Sequence, residues 1–167
     1  TGNTCNSNNS AGIYLNYSSN STVTGNTCNN NTSYGIWLYS GSTNTVTGNT
    51  CNNNTVGIYL DSSSNNNTIT GNTCIRGTGL TTDYTSSQYT IRLQGTDNNY
   101  NLIATNNCMG KAVSVGGGTG NSVYGNKWDA GNANLYTHPN HTGDVTSDGD
   151  GATTIANDAV SNAKLAN

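Results

Sequence analysis

Apolar and polar positions alternate through two short blocks that recur along the chain. The first, Thr22-Val23-Thr24-Gly25-Asn26-Thr27-Cys28, returns over 45–51 and, with Ile69 in place of Val, over 68–74; its tail also opens the chain at 1–5. The second, Gly12-Ile13-Tyr14-Leu15, returns as Gly35-Ile36-Trp37-Leu38 and Gly57-Ile58-Tyr59-Leu60, then more loosely as Ile91-Arg92-Leu93. A period of two, bounded by Asn, Ser and Gly clusters, predicts short strands joined by tight turns. Cys5, Cys28, Cys51 and Cys74 are 23 residues apart, and looser copies ending at Cys108 and Trp128 extend the series with spacings of 34 and 20.

Fully extended, 23 residues would run about 75 Å, so a unit this short with internal turns must close on itself and stack on its own copy. The expectation is a parallel β-solenoid of about six coils over residues 1–130. Val23, Val46, Ile69, Ile103 and Val123 form one inward column, Ile13, Ile36, Ile58, Ile91 and Val113 a second, and Leu15, Leu38, Leu60, Leu93 and Val115 a third. Asn3, Asn26, Asn49, Asn72, Asn106 and Asn126 stand two positions before the last residue of each block, where an amide ladder would satisfy its own donors and acceptors. Cys5, Cys28, Cys51, Cys74 and Cys108 complete the core. They are expected as free thiols, because side chains one coil apart lie about 4.8 Å apart with parallel Cβ vectors, unsuited to a disulfide.

Asn, Thr, Gly and Ser make up 97 of 167 residues, Glu and Phe are absent, and charged residues are 8%. Such a composition by itself suits disorder; the strict period overrides it. The first charged side chain is Asp61 and the net charge is -3, so no basic stripe is available for nucleic acid. No apolar run approaches the roughly 20 residues of a membrane span. The chain opens at Thr1 without a signal-peptide pattern, which is expected of a segment with further coils before it or an end that pairs with another chain.

The repeat resembles the right-handed parallel β-helix repeats of pectate-lyase-like folds, NosD-like periplasmic proteins, archaeal surface proteins and phage tailspikes. The resemblance implies an all-β, right-handed parallel β-helix and no particular chemistry. Within a C-terminal segment 131–167, the stretch from His141-Thr142-Gly143-Asp144 through Asn162-Ala163-Lys164-Leu165-Ala166 resembles a connector of phage tail fibres and related bacterial surface proteins, implying an oligomerisation segment. Ile155, Ala159, Val160 and Ala163 lie there at helical spacing, too short to be stable without partner chains.

Tyr14, Trp37 and Tyr59 fall between inward residues and are expected to project outward on one face, with Arg92 next in line. An exposed aromatic column can stack on sugars, pack against another subunit or simply stiffen the face of the solenoid. Residues 75–90 read as an 11-residue insertion forming a protruding loop, with Tyr84 a further glycan-contact candidate. Catalytic carboxylates would have to come from Asp61, Asp83 or Asp97, without any Glu, and no catalytic set is assigned. No metal or other cofactor is expected; His138 and His141, and Asp144, Asp148 and Asp150, lack a ligand spacing that compels one. The functional expectation is an extracellular or virion-surface fibre or spike element with a glycan-contacting face. It would assemble as a homo-oligomer, with a trimer as the guess, or end to end. A polysaccharide-degrading tailspike or lyase and a self-associating filament are the alternatives.

Overall fold

A computed structural model describes residues 1–128 and the backbone of two short strands further on. The chain divides into two units, 1–134 and 135–167. In the first unit, strands β1 (Ala11–Asn16), β3 (Tyr34–Tyr39), β5 (Val56–Asp61), β7 (Tyr89–Leu93) and β9 (Ser114–Val115) form one sheet in that order. Strands β2 (Thr22–Thr24), β4 (Thr45–Thr47), β6 (Thr68–Thr70), β8 (Leu102–Ala104) and β10 (Ser122–Tyr124) form the other. Every neighbouring pair in both sheets is parallel. A third column, Thr4, Thr27, Thr50, Thr73, Asn107 and Lys127, is joined by single parallel bridges. Successive strands of one sheet are separated in sequence by a strand of the other, which is the winding of a β-helix.

Two sheets of five strands make about five turns, one fewer than the six coils expected from the sequence. The bridge column does have six members. Six copies of the TGNTC-like block bound five intervals, so counting blocks overstates the coils by one.

Inward positions follow the strand alternation. Ile36, Ile58, Ile91, Leu38, Leu60, Leu93, Val46, Ile69 and Ile103 are buried, and Cys28, Cys51, Cys74 and Cys108 join them in one core. Burial fades at the ends: Ile13 and Val113 are only partly buried against the core, and Val115 and Val123, placed in the inward columns by their sequence, are 40% and 39% exposed. They occupy the final turn, where no further described coil covers them.

Glycine at the head of each Gly-Ile-x-Leu block is a packing requirement. A Cβ on Gly57 would lie 2.5 Å from the carbonyl oxygen of Thr90 and 2.8 Å from the Cys74 Cβ. Here the backbone of one coil leans directly on the next, and no side chain fits. At the TGN turn the demand is conformational instead. Gly25, Gly48 and Gly71 have φ of +64°, +63° and +64°, and Thr105, which replaces glycine in the fourth interval, is held at +56°.

In the second unit, Val145–Ser147 (β11) pairs antiparallel with Thr153–Ile155 (β12). Ile155 is therefore extended, correcting the helical reading at this residue; both segments are rich in β-branched residues, which favour strands. Ala159, Val160 and Ala163 lie outside the described residues, as do His138, His141, Asp144, Asp148 and Asp150.

Candidate functional site

The amide ladder is continuous over all six Asn positions. Each Nδ2 donates to the next Oδ1, from Asn3 to Asn26 (3.1 Å), to Asn49 (2.9 Å), to Asn72 (3.0 Å), to Asn106 (3.0 Å) and to Asn126 (2.9 Å). The same Oδ1 atoms also accept the backbone N–H of the Asn one coil before, as in Asn26 N to Asn49 Oδ1. A second ladder escaped the sequence reading: Asn44 donates to Asn67, Asn67 to Asn101 and Asn101 to Asn121, each at 3.1 Å. Its signal was available, since each of these residues immediately precedes the strand block containing Val46, Ile69, Ile103 or Val123. A shorter one joins Asn8 to Asn31. These positions hold backbone at corners, and those in the central coils are buried, so they build the scaffold rather than a ligand surface.

The five cysteines are free. Cys108 is pushed up to about 12 by burial, and Cys28 is raised by its hydrogen bond to Cys51 and then by burial. Thiols in this state are poor nucleophiles and poor metal ligands. No group of three or more His, Cys, Asp or Glu among the described residues is placed to hold a metal ion.

Register puts Tyr14, Trp37, Tyr59, Arg92 and Ser114 in one row across the larger sheet. Tyr14 stacks on Trp37 at 4.3 Å between ring centroids, and Tyr14 is 47% exposed. Tyr59 departs from the expected open column, since it is only 8% exposed. The cause is Tyr34, which the sequence reading passed over. Its ring lies flat on Tyr59 at 4.6 Å with planes 10° apart, and it also meets Trp37 at 4.9 Å. Tyr34 shares the parity of inward Ile36 but sits at the head of β3, just before Gly35, where the chain turns onto the sheet and the alternation breaks. Burial, reinforced by Asp61, raises the Tyr59 hydroxyl to about 12. Tyr39 packs edge-on to Trp37, and Tyr17, 71% exposed, packs edge-on to Tyr39. The exposed part of the platform is thus Tyr14, Tyr17 and the open side of Trp37, on a stretch of chain that carries no charged side chain before Asp61. Trp37 Nε1 is buried without a hydrogen-bond partner.

Arg92 continues the row but lies over the Tyr89 ring at 4.4 Å, with Lys111 Nζ over the same ring at 4.3 Å. Aromatic character thus gives way to cations held by an aromatic ring.

The insertion is divided. The Cys74-to-Ile91 interval is 17 residues against 8 for Cys28-to-Ile36, and Ile91-to-Cys108 is 17 against 15 for Ile36-to-Cys51. Nine extra residues therefore precede β7 and two follow it, correcting the single 11-residue loop. The loop before β7 contains a 3-10 turn, Thr81–Asp83. Asp83 Oδ2 accepts from Leu80 N, Thr78 N and Thr78 Oγ1, and these bonds, led by that from Leu80, hold its carboxyl below the usual range. Tyr84 is also committed: its hydroxyl accepts from Arg76 N (2.9 Å) and donates to Met109 O (3.0 Å). Asp97 accepts from Ser63 Oγ.

The family described as a right handed beta helix region matches residues 1–95, more than half of the chain. The chain belongs to the right-handed β-helix family. No curated protein and no solved structure matches it. Membership accounts for the stacked coils, the inward columns and the Asn corners, and it leaves the chemistry to whatever departs from the repeat.

Proposed function

We propose that this β-helix is a non-enzymatic adhesive element of an extracellular fibre or spike, phage tail-fibre-like in its C-terminal part, whose larger sheet presents a glycan-contacting face. The observation that carries the reading is the Tyr14–Trp37 stack, exposed at Tyr14, on two neighbouring strands that carry no charged side chain. Rings fixed by their neighbours on a rigid sheet offer a sugar an apolar face at little ordering cost. The carboxylates favour a non-enzymatic role: Asp83 serves to close its own loop and Asp97 holds a turn serine. The partners proposed are a cell-surface glycan and further copies of this chain, joined through residues 131–167.

Glycan-array binding followed by titration of the best ligand tests this. Trp37→Ala is expected to weaken binding about tenfold, roughly 1.4 kcal/mol, while the far-UV circular dichroism is unchanged. Binding that is indifferent to both Trp37→Ala and Tyr14→Ala would remove the face from consideration.

A further inference from the structure

The two places where the chain departs most from its own repeat meet in space. One is the loop before β7; the other is the short, irregular segment around Met109-Gly110-Lys111 in the following turn. Tyr84 ties them together through Met109 O, and Lys111 Nζ reaches back to Thr85 O at 3.0 Å and to Gln88 O. Gly110, at φ +95°, makes the fit possible: a Cβ there would stand 2.6 Å from Tyr84 Cε2 and 2.7 Å from Leu80 O. Between the segments lies an open cleft of about 360 Å³, whose lining includes Tyr84, Trp128, Thr81, Thr85 and Ser86. This is at the small end of the range for ligand pockets.

We infer that this cleft binds a single neutral pyranose unit, with the Tyr84 and Trp128 rings against the apolar face of the sugar and the Thr81, Thr85 and Ser86 hydroxyls exchanging hydrogen bonds with its rim. Lys111, the one charged side chain among the described residues lining the cleft, has its ammonium directed to two carbonyls and seated over Tyr89, so it is already engaged within the protein and asks for no anionic group on the ligand. Two aromatic side chains and three hydroxyls in one lining suit a molecule that is apolar on its faces and polar around its perimeter. The Tyr84 side is set before binding, since its hydroxyl is held from both sides and Asp83 locks the turn beside it. Little ordering cost therefore falls on the ligand. The inference shares with the proposed function the premise that the protein meets saccharides, but it concerns a different place on the molecule.

The chain has two tryptophans, one at each place, so each can be read separately. In the Trp37→Phe variant, Trp128 emission is titrated with methyl glycosides of glucose, galactose, mannose and N-acetylglucosamine. A saturable change with at least one of them, at about 1–10 mM, is expected. Ala112→Phe, which adds a ring to a residue lining the cleft without removing any of its anchors, is expected to abolish that change while the far-UV spectrum stays the same. The inference is overturned if none of the four glycosides produces a saturable change up to about 50 mM, or if Ala112→Phe responds as its parent does. The reciprocal Trp128→Phe variant reports on Trp37 alone. Glycan binding seen there and not at Trp128 sinks the cleft and leaves the aromatic face standing; the converse result sinks the face and leaves the cleft.

Discussion

At the scale of single residues, burial decides what each repeated side chain is worth. Asn49 sits mid-ladder: its Oδ1 accepts from the N and Nδ2 of Asn26, and its Nδ2 donates to Val23 O, Thr47 O and Asn72 Oδ1. Asn49→Ala would strand several buried polar groups, each costing about 1–3 kcal/mol. A loss of about 3 kcal/mol in denaturant unfolding is expected, against less than about 1 kcal/mol for Asn3→Ala at the exposed first corner. The thiols give a pH signature. The Cys108 thiol rises from an ordinary 9.0 to about 12 because burial disfavours the thiolate. The folded protein thus holds this proton more tightly than the unfolded chain, so the stabilisation is complete below about pH 9 and is lost as pH rises toward about 12. Thermal midpoints measured at pH 8, 9 and 10 should fall progressively. A Cys108→Ala variant should show a shallower fall.

At the scale of elements, the controlling contact is backbone on backbone. Gly57 starts the Ile-Tyr-Leu run of β5 with no room for a methyl group between it and the coil that follows. Gly57→Ala is expected to cost about 3 kcal/mol, the upper part of the usual overpacking range, and chemical denaturation against the parent checks it. Gly95→Ala is the instructive contrast: its nearest contact would be 3.4 Å, but its φ of +71° charges the substitution for backbone strain alone. The loop before β7 works differently, held by Asp83, Tyr84 and Lys111 rather than by the repeat. Regular coils supply the platform, and the irregular segments shape the cleft upon it.

At the scale of the whole molecule, cohesion comes from stacking, and each central coil is sealed by the coils on either side. Ile36, Ile58 and Ile91 are fully buried, whereas Val115 and Val123 in the last turn are open. The boundary between the two units falls after Asn134, and the proposed assembly role belongs to the part beyond it. Light scattering of residues 1–167 beside a chain ending at Asn134 is therefore expected to show an oligomer, a trimer in the simplest case, that falls to monomer on truncation. Equal monomer masses for both would leave the tail without an assembly role.

The repeating architecture was legible in the sequence because a solenoid makes sequence neighbours at a fixed interval into neighbours in space. Residue i lies against residue i plus 23, so Ile36 under Ile58 or Asn26 under Asn49 could be read from the period, even where one coil is a residue shorter. What depended on contacts between unlike positions could not be read this way. Tyr34 covering Tyr59, the insertion divided on either side of β7, and Tyr84 seated on Gly110 all arise where the chain turns a corner or leaves the period. There, side-chain direction is set by local φ and ψ and by the space left between coils, and only the folded chain decides which residues meet.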